Sequence, residues 1–183
     1  QLNSMTNSAS RSIMTVAGTD QFDTVAPGSR VVGHSGRLGS GLAAWPPADA
    51  VFASYKIDIS RSVNPPGALS TTFANNVGTD VVHAYDNALV IPANAFKAAS
   101  NAPFSHTFWY QNGYPYTGGP LNTFVRHSGN GNSSQGFMDA VPPEDPAYGV
   151  RTDCLFEVGN AAVTGAPIAA PVLRHEVDAA TTV

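Results

Sequence analysis

The sequence predicts an all-β protein, an eight-stranded antiparallel jelly-roll sandwich with one or two short helices in its loops. Three observations carry that expectation. Charged residues are only 12% of the 183 residues, against about a quarter in an average soluble domain. Turn formers are abundant, with 17 glycines and 14 prolines. The hydrophobic residues, 43% of the chain, come in short clusters that alternate with polar residues or sit between turn signals. Such clustering separates the chain from disordered low-charge sequences. Its length suits one domain with a core that needs no covalent staples.

The elements follow in order. Residues 1–11 are polar at first and lack periodicity, so they read as an arm or linker before a domain over 12–178. SIMTVAG (12–18) is a strand ending at Gly18. Ser29 to Val32 is a second, between turns at Pro27-Gly28 and at Gly33 to Gly36. Pro46-Pro47 suits the first turn of a short helix. FASYKIDISRSV is the clearest strand: Tyr55, Ile57 and Ile59 share one face, Lys56, Asp58 and Ser60 the other. TDVVHAYDNALVI is the next. PANAFKAAS (92–100) suits a second short helix. SHTFWYQ (105–111) sets Phe108 and Tyr110 opposite Trp109, and NGYPYTGGP reads as a loop. LNTFVRH (121–127) alternates, SGNGNSSQG and AVPPEDPAYG are loops, and DCLFEVG and PVLRHEV are the last strands. Residues 179–183 form a tail. Nothing alternates as strand–helix–strand, so a parallel sheet is not expected.

Bulk charge and motifs narrow the chemistry. The net charge of −4 argues against a free nucleic-acid-binding domain. The single cysteine, Cys154, excludes an internal disulfide and suits an intracellular origin. No apolar run is long enough to span a bilayer as a helix. GHSG (33–36) lacks the second glycine of a hydrolase nucleophile elbow, with Arg37 in its place. The histidines at 34, 83, 106, 127 and 175 form no zinc-ligand spacing. No nucleotide loop opens a helix, and the carboxylates show no pairing that sequence can establish. No catalytic constellation emerges, and the expectation is a protein that is not an enzyme. Oxygen ligands from separate loops or subunits can hold calcium, and Asp80, Asp86 and Asp139 are the candidates for an interface Ca2+. His83 and Asp86, three apart, fall on opposite faces of a regular strand, which argues against a shared ligand.

The order of several segments resembles the shell domain of small icosahedral positive-strand RNA virus coat proteins of the tombusvirus, sobemovirus and nodavirus-like group. Gly18-Thr19 to Thr24-Val25 and Gly28 match one stretch; Phe52, Tyr55, Ile57 and Ile59 match a strand; Gly78, Val81, Ala84, Tyr85 and Asp86 match another. DCLFEVG and GAPIAAPVLRHEV complete the order, and the resemblance covers residues 12–178. It implies a jelly roll that self-assembles into an icosahedral shell, a virion protein assembled in the host cytoplasm. The partners it implies are copies of the chain and a packaged genome, RNA in that group, contacted by a basic arm upstream of Gln1, with no membrane. It also implies calcium between subunits, although Asn87, Ala88 and Leu89 stand where a second acid follows the aspartate in that group. Arg11, Lys56 and Arg61 are the candidate nucleic-acid-facing residues, with Arg126 and Arg174 as further basic positions. The alternative is a secreted β-sandwich carbohydrate-binding or adhesive module, suggested by Trp109, Tyr110, Tyr114 and Tyr116 and by the sequon Asn132-Ser133-Ser134.

Overall fold

The structure, a computed structural model, describes residues 4–131 and 136–178. The sequon and the tail at 179–183 lie outside the described residues. The chain is all-β, and every ladder between its strands is antiparallel. The strands are β1 (Arg11–Ala17), β2 (Arg30–Gly36), β3 (Ala50–Arg61), β4 (Val82–Ile91), β5 (His106–Pro115), β6 (Leu121–His127), β7 (Ala140–Val141), β8 (Thr152–Val158), β9 (Ala166–Pro167), β10 (Ala170–Pro171) and β11 (Leu173–Asp178). A six-stranded sheet runs β4-β3-β6-β1-β8-β9, a three-stranded sheet β11-β2-β5, and β10 pairs with β7.

The two larger sheets share a core. From the first come Ile13, Tyr55, Ile57, Ile59, Val125 and Cys154, and from the second Val31, Phe108 and Tyr114. Tyr55 stacks on Phe108 across the interface, centroids 5.6 Å apart. β1 and β6 are buried along nearly their whole length instead of on alternate residues. The cause is a second cluster on the sheet's other side, where Phe73 covers Met14, Val16, Phe124 and Leu155. With both faces covered, these strands lose their half-polar character.

Several expectations are corrected. The described part of the arm is docked. Met5 is 2% exposed and belongs to the core; its carbonyl accepts from the Tyr55 hydroxyl at 3.3 Å, and the Thr6 hydroxyl donates to the Gly136 carbonyl at 2.5 Å. Neither expected helix forms. The two segments instead bond to each other in extended form: Trp45 and Phe96 exchange backbone hydrogen bonds of 3.0 and 2.9 Å, and Asn94 N–H donates to the Pro46 carbonyl at 2.7 Å. Isolated helices this short gain too little to nucleate, whereas the bridge buries both Trp45 and Phe96. Among the described residues the helical turns are three 3-10 turns at Ser4–Thr6, Thr19–Phe22 and Phe73–Asn76. The expected turn at Gly33 to Gly36 is strand. A Cβ on Gly33 would lie 3.0 Å from the Phe108 carbonyl oxygen, so glycine here allows β2 and β5 to approach closely. β5 in turn runs through Tyr114 into the segment expected to be loop.

Candidate functional site

Among the described residues the largest charged assembly lies on the face of the six-stranded sheet turned away from the main core. Lys56 and Asp58, two apart on β3, point to that face, as their neighbours Ile57 and Ile59 point inward. On β6 the matching residues are Arg126 and Phe124. On β4 the partners are Asp86, opposite Lys56, and His83, opposite Asp58. Their odd separation predicts opposite faces, and the structure overturns that. The register shifts between Ile57 and Asp58, so Ala84 and Tyr85 together oppose Ile57. This β-bulge brings His83 and Asp86 onto one face and leaves Ala84 in the core.

Asp58 is the hub. Its side chain is 10% exposed, while that of His83 is 76% exposed. One carboxylate oxygen bonds His83 Nδ1 at 2.7 Å; the other accepts from the Arg126 guanidinium. Arg126 also lies 4.8 Å over the Phe124 ring. Lys56 Nζ pairs with Asp86 at 2.8 Å beside this triad. The two cations thus face two carboxylates, and the row is a neutral ion-pair lock without surplus positive charge. β5 bulges over the edge of β4: Asn112 donates to the His83 carbonyl at 3.1 Å, and Gln111 accepts from Asp86 N–H at 3.3 Å. These side chains satisfy backbone groups that an edge strand otherwise leaves open.

The three expected calcium ligands do not converge within the chain. Asp86 is held by Lys56. Asp80 accepts from the Tyr114 hydroxyl at 2.6 Å and from Arg61 N–H at 3.1 Å. Asp139 pairs with Arg37 at 2.7 Å. Among the described residues no group of three or more His, Cys, Asp or Glu side chains is placed to hold a metal.

The three expected nucleic-acid contacts do not share a surface either. Lys56 and Arg61, five apart on a regular stretch of β3, lie on opposite faces. Arg11 opposes His127, in the row of Tyr55 on the core side, where its guanidinium stands 5.5 Å over Phe156. The aromatic group proposed as a sugar platform is also divided. Trp109 is 61% exposed, but Tyr114 and Tyr116 are buried, and the Tyr110 hydroxyl bonds His34 Nδ1 at 2.8 Å inside the protein.

Asp58 carries no motif in the sequence. Its signal is only an acidic residue between two isoleucines, Ile57 and Ile59, on the polar face of an alternating strand, a position that demands a partner once that face is covered. The pairing of His34 with His175 across β2 and β11 is likewise invisible to spacing. The His34 ring is buried and that of His175 half-buried, and both are neutral. Burial lowers the His34 pKa to about 3, helped by His175 and His106 nearby, and lowers that of His175 to about 4.

Set against known protein families, curated proteins and solved structures, the chain matches none.

Proposed function

We propose that this chain is the shell-forming domain of a small icosahedral virus coat protein, assembling with copies of itself around nucleic acid. The observation that carries the reading is a surface poor in charge, on which most of the cationic charge is paired within the chain. Arg37, Lys56, Arg126, Arg151 and Arg174, five of the nine cationic side chains, are in ion pairs within the chain. Exposed apolar side chains occur on separated parts of the molecule: the Val51–Val90 cross-strand pair, Trp109, Val150, Val158 and Val163. A subunit of a closed shell meets neighbours on several sides, and uncharged, partly apolar contact faces are what such burial favours.

The jelly-roll assignment rests on eight strands of six residues or more in two facing antiparallel layers. Their order departs from a plain roll, in which the first long strand lies beside the last. Here β1 lies between β6 and β8, and β11 pairs with β2. The proposal is therefore a rearranged Greek-key shell fold. Its role is structural, with no catalytic step. An interface calcium on Asp80, Asp86 or Asp139 belongs to the same reading, and it would have to displace the partner each aspartate already holds.

Size-exclusion chromatography with negative-stain microscopy tests the proposal. Uniform closed particles are expected at high protein concentration, and a monomer that persists there rejects it. For calcium, chelation with EDTA is expected to lower the melting temperature of the particles or swell them. Unchanged size and melting temperature remove the metal.

A further inference from the structure

Between the two sheets, beside the packed core, lies a half-open cavity of about 650 Å3. Protein interiors rarely leave voids much larger than a water molecule; this one would hold roughly twenty waters at ~30 Å3 each. Its origin is in the residues of its floor. On the core-facing side of the six-stranded sheet, Thr15, Ala17, Thr123 and Thr152 form neighbouring positions on β1, β6 and β8. They are small where the rows nearer Tyr55 are large. Leu173, His175 and Val177 of β11 form the roof, and Phe22 and Val25 close one side.

The lining has a definite chemistry. Its walls mix aliphatic and aromatic side chains with the polar Gln21, Thr24 and Ser29, and Thr123 and Thr152 lie in the floor beside Thr15, whose hydroxyl donates to Cys154 Sγ at 3.8 Å. His175 lines it beside Phe22, ring centroids 5.4 Å apart, and its Nδ1 is buried without a hydrogen-bond partner. The one cation of the lining, Arg174, is already neutralised. Its guanidinium meets Glu176 at 2.6 and 2.9 Å and lies 5.3 Å over Phe104. Nothing here offers an unpaired charge to a ligand. A concave, mostly apolar space of a few hundred Å3 with a small number of neutral polar groups is the usual form of a small-molecule site.

We propose that this cavity binds an uncharged amphiphile, an alkyl chain ending in a hydroxyl or ester group. The alkyl chain lies between Phe22, Val25, Leu173 and Val177, and the polar end meets Thr123 and Thr152, since the Thr15 hydroxyl is already donated to Cys154. A carboxylate of the same chain length is disfavoured, because Glu176 holds the only lysine or arginine of the lining and the half-buried imidazole of His175 offers no charge. The inference is independent of the shell reading, since it concerns the interior of one subunit in any assembly.

Equilibrium dialysis of the purified protein against radiolabelled dodecanol and dodecanoate tests it. Saturable binding of a single dodecanol per chain is expected, with dodecanoate weaker. Ala17→Phe fills the floor and should weaken dodecanol binding at least about tenfold. Thr123→Leu, a milder filling, should act in the same direction if the larger change impairs folding. Trp109→Ala, on the outer surface, should leave binding unchanged. The proposal is overturned by an absence of saturable dodecanol binding, by dodecanoate binding as tightly or more tightly, or by filled variants that bind like the parent. Those results would mark the space as a water-filled cleft or the binding as adsorption to the surface.

Discussion

The space between the two sheets has a packed end and a hollow end, built on the same strands. At the packed end, Phe52 meets Tyr55 and His127 at 5.1 Å each, and Tyr55 stacks on His127 at 5.5 Å and on Phe108 at 5.6 Å. At the hollow end, the same sheet presents Thr15, Ala17, Thr123 and Thr152, and about 650 Å3 stays unfilled. Backbone pairing is continuous through both. The difference teaches that ladder hydrogen bonds hold each sheet continuous through both ends, while the large side chains of the packed end hold the layers apart and small ones at the other end leave the gap unfilled.

The largest break in this comparison is expected from Phe52→Ala. Phe52 is fully buried, and its truncation should cost about 3–5 kcal/mol, read from urea unfolding.

Acid should act next, at the boundary between the ends, where His34 stacks on Phe108 at 5.0 Å and His175 lines the cavity. Burial depresses both pKa values, to about 3 and about 4 from 6.5, and lowers that of His106 as well. Above pH ~6.5 neither the folded nor the unfolded state holds these protons, and the contribution is complete. As the pH falls below that value, the unfolded chain takes up protons that the folded one refuses. Stability is then lost progressively, until the folded histidines also titrate near pH 4 and 3. Urea midpoints measured across that window should fall, and the fall should be shallower in His34→Gln. An equal slope in the two proteins would assign the acid sensitivity to carboxylates instead.

Behind the packed end, on the sheet's other face, Asp58→Ala leaves the partly buried Arg126 without its carboxylate. A loss of about 2 kcal/mol is expected, and a double-mutant cycle with Arg126→Ala should show positive coupling. Additive losses would mean that the pair is only incidental.

The smallest effect is expected at the hollow end. Leu173→Ala widens a cavity that already opens to solvent, so little new void is created and the cost should be about 1 kcal/mol, the loss in transfer energy alone. A cost equal to that of Phe52→Ala would show that the cavity is closed and packed in solution.

Much of the strand content is legible in the sequence because alternation is local. LNTFVRH is a strand over the whole of its length, and Tyr55, Ile57 and Ile59 are buried on the expected face. The bulges are not legible. Phe52 and Tyr55, three apart, both reach the core because the register slips between them, and the same device aligns His83 with Asp86. A bulge is a relation between two strands, so neither strand's own sequence records it. The expected helices failed for a similar reason: Trp45 and Phe96, 51 positions apart in the numbering, satisfy each other's backbone groups.

The sequence by itself determined that this protein is all-β and antiparallel, with sparse charge and short alternating strands, because a two-residue period and turn chemistry act over a few neighbouring residues. The tertiary structure alone decided which faces are covered, that β1 and β6 are buried on both sides, that Asp58 gathers His83 and Arg126, and that a cavity opens above Thr15 and Thr123. Each of these depends on which strand lies beside or across from which, and pairing between distant segments is fixed by the packing of the whole chain.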